Sequence, residues 1–463
     1  MSESFDAWWL PDACPELQLE TLRVGDLECR YPQPSPELLE CTVRALRGHW
    51  RRLAQRSVVD IVSVIDAAAA RLADPGDAIR QRAEALLTAA TGYSPPMTRL
   101  VLDRMSADWR APALDRLLRS ELDDPAVLDG FTPVAEHRKT RAYGPRLGFH
   151  VFAGNVPGVA VTSLIRSLLV KAPVLGKLAS DQPVLPVLFA QALSSVDSEL
   201  ARALGVTYWP GGSEDAEWRA LQSSELVVVY GGAEAVRSYR ARVPQGQLVV
   251  HGPKYSVGLI ASEGLVMESE LPITVARAVA AFDQHGCVSP HTIWVEDPSG
   301  HETDAFADEL ADAFSAVERE LPRGQISDAE ISTIQQERGA AEMRGYDGAV
   351  RVLAPEGTAW TVVVDHEPVF RPSCLNRFVH VHPIGDIARA VDLLRPVGSQ
   401  LQSVAIAAEP ARVCSLGDAL ARLGATRITT FDRMPWPPPH WHHDGRGPLR
   451  ELLRWVDLEE SAG

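Results

Sequence analysis

The 463-residue chain has only six cysteines, at positions 14, 29, 41, 287, 374 and 414, and no two of them form a Cys-x-x-Cys pair. That scarcity excludes a disulfide framework or a cysteine-built zinc site and predicts a reducing compartment. Positive charge is also short: 45 Lys and Arg against 61 Asp and Glu give a net charge of −16, which argues against nucleic acid as the main partner. No apolar run approaches the roughly 20 residues of a membrane-spanning helix. The first ten residues, Met-Ser-Glu-Ser-Phe-Asp-Ala-Trp-Trp-Leu, lack both the basic and the apolar part of a signal peptide, so a cytoplasmic location is expected. Internal repeats and low-complexity tracts are absent, and so is the Gly-x-Gly-x-x-Gly fingerprint of ordinary dinucleotide-binding proteins.

What is present is ordinary for a soluble globular protein: 46% hydrophobic and 23% charged residues, enough chain for a sizeable core without staples. Residues 1–34 contain Pro11, Pro15, Pro32 and Pro34 and read as short extended pieces, with Trp8–Trp9 packing onto the protein itself. Ser35-Pro36 opens a helical region, 36–122, in which Leu38, Leu39, Val43, Leu46 and Trp50 form one apolar stripe. Residues 134–146 turn extended and hold the densest basic cluster, His137, Arg138, Lys139, Arg141 and Arg146. That cluster is either a solvated strand face or a site for phosphates. From 147 onward strands at 147–152, 173–177, 206–209, 226–230 and 247–250 alternate with helices, the rhythm of a doubly wound α/β nucleotide-binding sheet.

A second α/β block is expected from 261, with a final helix at 449–456. The predicted division is therefore 1–122 helical, 123–146 bridging, 147–260 nucleotide-binding core, 261–434 catalytic and 435–463 a C-terminal crossing. The stretch 281–290, Ala-Phe-Asp-Gln-His-Gly-Cys-Val-Ser-Pro, ends a helix and presents Cys287 between small residues before Pro290. A thiol on such a turn is a candidate nucleophile, with a buried structural cysteine as the alternative. His440, His442, His443 and Asp444 have no second ligand group at a compatible spacing, so no metal is expected. Asn155, in Gly-Asn-Val-Pro after the first strand of the sheet, offers an amide donor for an oxyanion.

Several separated motifs agree in order: Gly-Asn-Val-Pro (154–157), Gly-Lys-Leu-Ala-Ser (176–180), Tyr-Trp-Pro-Gly-Gly (208–212), Val-Tyr-Gly-Gly (229–232), Gly-Pro-Lys (252–254) and Gln-His-Gly-Cys (284–287). With the closing Trp-His-His-Asp-Gly (441–445), this succession resembles the aldehyde dehydrogenase superfamily, in particular its LuxC-type acyl-CoA reductase branch, over roughly residues 36–456. The resemblance implies an aldehyde-dehydrogenase-like fold in which Cys287 takes an acyl group from a thioester and Asn155, with the backbone N–H of Cys287, forms the oxyanion hole. Lys177 and Ser180 would contact the adenosine ribose and any 2′-phosphate, and Gly231 and Gly232 would pass under the cofactor's phosphates.

The superfamily's glutamate-containing Glu-Leu-Gly-Gly-Lys corresponds to Val250-His-Gly-Pro-Lys254. Val250 thus replaces the general base, which favours acyl transfer over hydrolysis, and His251 is a possible substitute base. The activity implied is reduction of an acyl-CoA to an aldehyde with NADPH, NADH being the other cofactor admitted. Rival readings are a reductase of acyl groups on a carrier protein, an acyl-phosphate reductase, and a non-catalytic acyl-binding subunit. Homo-oligomerisation through 134–146 and an acyl-transferring partner are further expectations.

Overall fold

The structure is a computed structural model that describes residues 4–11 and 17–459. The chain divides into two compact units. One comprises residues 1–91, 98–252 and 438–463, and the other 92–97 and 253–437.

The first unit is built on a six-stranded sheet in the spatial order Leu248–His251, Leu226–Tyr230, Gly148–Val151, Val174–Lys177, Leu204–Thr207, Trp8–Trp9. All neighbours are parallel except Trp8–Trp9, which runs antiparallel with Trp8 opposite Thr207. Parallel strands need crossover helices on both faces, and their continuous apolar runs follow from that double cover. Helices such as Val58–Ala73, Val159–Leu169 and Val184–Val196 supply it, burying Ile61, Ile65, Leu164, Leu168, Leu188 and Leu193. The helix Pro36–Gln55 is capped by Ser35, whose hydroxyl accepts from Leu38 N at 3.1 Å, as the Ser-Pro signal predicts.

A small three-stranded sheet in the same unit pairs Arg138–Tyr143 with Thr132–Ala135 on one side and Arg454–Glu459 on the other. This corrects the expected helix at 449–456. Only Arg450–Leu452 turns helically there, and the next residues become an antiparallel edge strand because Arg138–Tyr143 offers a free row of backbone groups.

The second unit carries a seven-stranded sheet ordered Val350–Leu353, Thr361–Asp365, Phe378–Ile384, Pro290–Glu296, Tyr255–Ile260, Leu401–Ala407, Arg427–Thr429. It is parallel apart from Val350–Leu353. Tyr255–Ile260, which the sequence reading assigns to the nucleotide-binding core ending at 260, is a central strand of this second sheet. Its apolar run suits either sheet, and only the pairing decides. The helix Asp328–Arg344, held by a full capping box on Ser327 and Glu330, was not anticipated, because its apolar positions form no clear stripe. No helix among the described residues is long and apolar enough to cross a membrane.

Candidate active site

The helix Leu271–Ala280 ends at Ala281, and the backbone then takes a left-handed course through Phe282 (φ 56°), Asp283 (φ 49°) and Gln284 (φ 69°). Left-handed backbone costs a non-glycine residue about 1–2 kcal/mol, so three in a row must be held by their surroundings. Asp283 and Gln284 are fully buried and supply the restraint. The Asp283 carboxylate accepts from Arg377 Nε (2.9 Å) and from Gly324 N (3.0 Å). Gln284 Nε2 donates to the carbonyls of Pro290 (2.9 Å) and Phe378 (2.7 Å), and its Oε1 accepts from Phe378 N at 2.8 Å.

A second left-handed run, Leu375 (φ 67°), Asn376 (φ 57°) and Arg377 (φ 63°), braces the first, with Asn376 N donating to Asp283 O at 3.1 Å. Cys287 follows on a turn closed by Ser289 N–H to Gly286 O (2.9 Å). A side chain at Gly286 would bring its Cβ to 3.2 Å from Ser289 Oγ. The Ser256 hydroxyl donates to the Cys287 carbonyl (2.7 Å) and accepts from Ser403 N (3.1 Å), tying this turn to two strands.

Cys287 is half-buried. Burial pushes the Cys29 thiol up to about 11 and the Cys374 thiol up to about 12, which suits inert core cysteines. Cys41 is half-buried, Cys414 is exposed and Cys14 lies outside the described residues. Cys287 is thus set apart by its strained, hydrogen-bonded support.

In the first unit the other predicted residues gather at the carboxyl ends of the strands, where such sheets take ligands. Asn155 is exposed on the loop between Gly148–Val151 and the helix Val159–Leu169. Gly154 lets the Asp181 carboxylate lie close against the loop: a Cβ there would fall 1.6 Å from Asp181 Oδ1 and push that exposed side chain aside. Ser180 is exposed. Gly232 is the N-cap of the helix Ala233–Arg242, and a Cβ on it would meet nothing within 4 Å. Open glycine backbone at a helix N-terminus suits a phosphate, and the open Gly211–Gly212 after Leu204–Thr207 adds to it. These features fit the phosphates of a nucleotide cofactor.

Lys177 is more constrained than expected. Its Nζ donates to Glu217 Oε2 (3.1 Å) and lies 5.3 Å from the centre of the Trp209 ring. Arg242 holds the other oxygen of Glu217 at 3.1 Å. Burial pushes the Glu217 carboxyl up, but Lys177, the Tyr239 hydroxyl and Arg242 together bring it below its usual value. Two cations on one carboxylate leave a net positive charge, which admits a 2′-phosphate. Glu217 gives no signal in the sequence that would identify this role.

His251, considered above as a substitute base, points away from Val250 by strand alternation. Its Nδ1 is 2.8 Å from Asp444 Oδ2, and its ring stacks between Tyr230 (4.5 Å) and His443 (4.4 Å), with Trp441 beyond His443 at 4.7 Å. The fold therefore supplies a neighbour to His443 and Asp444 that spacing did not reveal. Each of His251, His443 and Asp444 offers one ligand atom within 4.8 Å of the others, so the fold assembles a grouping that could hold a metal ion, where the spacing alone led to the expectation of none, and its two imidazole rings lie 18° from parallel. Asp444 (φ 56°) and Gly445 (φ 76°) form the two-residue turn that carries the stack, with His443 bridged to Arg446. In the basic cluster, Arg146 is bound by Glu225, and Arg141 and Arg454 lie over Tyr143.

The family model described as acyl-CoA reductase (LuxC) matches residues 53–455. Among curated proteins, the chain is 26% identical over 379 residues to a long-chain acyl-protein thioester reductase of Aliivibrio fischeri, covering 80% of this chain and 75% of that protein. A protein of the same description from Vibrio harveyi is 25% identical over 378 residues, covering 80% and 76%. Among solved structures, aldehyde dehydrogenase 21 from Physcomitrella patens superposes with a TM-score of 0.77 at 14% identity, over 99% of this chain and 98% of that one. The NADP-dependent glyceraldehyde-3-phosphate dehydrogenase of Bacillus halodurans gives 0.72 at 12% identity, over 99% and 100%. The fold is that of the aldehyde dehydrogenases.

Proposed function

Because the chain belongs to the LuxC acyl-CoA reductase family, we propose that it reduces an acyl thioester to an aldehyde through an acyl-enzyme on Cys287. The observation that carries this reading is the half-buried Cys287 on a turn fixed by Ser256 and by two interlocked left-handed segments. Support of that kind pre-positions a nucleophile. The Cys287 thiolate attacks the thioester carbonyl, the carbon–sulfur bond to the carrier thiol breaks, and that thiol leaves. Asn155 is assigned as an amide donor to the oxyanion, with the Cys287 N–H as the second donor. Lys177, Ser180, Gly231 and Gly232 are assigned to the nucleotide, with NADPH preferred because of the net positive charge around Glu217. The bound reduced nicotinamide supplies the hydride. With Val250 in place of a carboxylate, this position offers no base to activate water against the acyl-enzyme, which favours acyl transfer over hydrolysis.

A second reading of the donor is favoured by the relatives' description as acyl-protein thioester reductases: the acyl group arrives on a protein thiol and not on CoA. Intact-protein mass spectrometry with acyl-CoAs and acyl-carrier proteins, before and after NADPH, tests both. An acyl adduct on Cys287 that disappears with release of aldehyde is expected, and Cys287→Ala should abolish it. Retention of thioester reduction by that variant would sink the mechanism. Adducts from carrier-bound substrates alone would select the second reading.

A further inference from the structure

His150, Val228 and Val249 stand in register across the strands Gly148–Val151, Leu226–Tyr230 and Leu248–His251, with Tyr230 opposite His251 two residues on. Registered and alternate residues project from one face of a sheet, and a cavity lies on that face. The helix Val159–Leu169 walls it through Ser163 and Arg166, and the C-terminal crossing does so through residues between His443 and Leu452. Its volume of about 20 Å³ open to a water-sized molecule is room for one small occupant. Arg166 is only 7% exposed. Its Nη2 donates to Pro439 O (3.3 Å), but its Nε has no hydrogen-bond partner among the described residues, and no described carboxylate pairs with it. His150 is 1% exposed, with Nδ1 2.9 Å from Ser163 Oγ and Nε2 likewise without a partner among the described residues. Arg446 and Glu451 on the wall satisfy each other at 3.0 Å. Asp444, which is not on the wall, lies 2.8 Å from His251 Nδ1.

A buried guanidinium without a counter-charge is strongly unfavourable, and a water would satisfy its N–H without supplying that charge. We propose that the cavity binds one small inorganic anion of about chloride's size, held by the Nε–H of Arg166 and the Nε2–H of His150. The His150 ring takes the tautomer in which the Ser163 hydroxyl donates to Nδ1, so that its own proton is on Nε2. Burial, with a lesser effect of His251, holds this imidazole down to about 3. The ring is therefore neutral at neutral pH, and Arg166 supplies the charge. The anion joins the helix to the sheet, and Arg166 already holds the crossing at Pro439, so binding stabilises the folded chain. This inference does not depend on the proposed acyl transfer.

Thermal melting of the full chain in sodium gluconate, with chloride replacing gluconate at constant ionic strength, reads the site, because gluconate is too large to enter. The midpoint of the unaltered protein should rise steadily as chloride is added. Arg166→Met removes the charge but keeps an apolar chain, and its midpoint should not respond to chloride. In gluconate alone that variant should melt no lower than the unaltered protein, since it loses an uncompensated buried charge. A midpoint of the unaltered protein that ignores chloride overturns the proposal, and so does an equal response in Arg166→Met. A variant that melts lower by the same amount in both salts also overturns it, because Arg166 is then held by the protein alone. Crystals of the unaltered protein soaked in sodium bromide give a readout that requires no variant to fold. An anomalous-scattering peak between Arg166 Nε and His150 Nε2 is expected, and bromide found only on the outer surface would sink the site.

Discussion

Around Cys287 the heaviest demands fall on residues other than the thiol. Asp283 and Arg377 are both almost completely buried and form an ion pair at 2.7 Å, with Glu318 on another nitrogen of the guanidinium at 2.7 Å. Removing one partner of such a pair strands a charge in a low-dielectric interior, at a cost of about 3–5 kcal/mol. Arg377→Met is therefore expected to lower the unfolding free energy by that amount in a urea titration, and to release the left-handed course of Asp283. The polar residues ending the helix before Cys287 are visible in the sequence, but the sequence marks Asp283 and Gln284 only as helix stops. Their actual task, bracing strained backbone, depends on Arg377 and Phe378, more than ninety positions away. Lys177 is the converse case. Its position at a strand end is legible, whereas its engagement with buried Glu217 is set by how the helix Glu214–Ser223 lies on the sheet.

The helix Asp328–Arg344 shows the same coupling between elements. Its capping box satisfies the first-turn backbone through Ser327 and Glu330, and Glu330 Oε1 also accepts from Asn376 Nδ2 at 3.3 Å. Ser327→Ala should cost about 1 kcal/mol, the usual value of a lost cap. Glu330→Ala should cost more in the same thermal-melting series, because it also loosens the left-handed run at 375–377. Equal costs would mean that the helix end and that run are uncoupled. Elements with strong local signals were readable, among them the Ser35-Pro36 helix start and the apolar strands of the first sheet. Arg454–Glu459 was not, because a short alternating segment becomes a strand only when an edge such as Arg138–Tyr143 is there to pair with.

For the whole molecule, four of the buried histidines make acid the predicted weakness. Burial holds His150 and His380 down to about 3, and His291 and His382 down to about 4, with lesser contributions from neighbouring histidines and arginines at His150 and His380. A histidine lowered from about 6.5 favours the folded state fully above that value. Below it the unfolded chain takes up protons that the folded one refuses, so stability falls by about 1.4 kcal/mol per pH unit for each group until the folded value is reached. Glu296, held at about 2 chiefly by its bonds to Arg412 against the opposing effect of burial, adds a further loss as pH drops below its ordinary range. Urea midpoints should decline steeply from about pH 6.5 to about pH 4. A flat profile across that range would show that these histidines are not neutral and buried together.

The sequence by itself determined the strand–helix rhythm, the cysteine on its turn, the open glycines and the absence of a carboxylate at Val250, because each is a local property of residue type and order. It also predicted contiguous domains, whereas the chain passes between its two units at 91/92, 97/98, 252/253 and 437/438. Only tertiary structure decided that Tyr255–Ile260 belongs with the second sheet and that His251 stacks on His443. Strand pairing and burial select among partners that are equally good locally, and that choice is made by long-range packing.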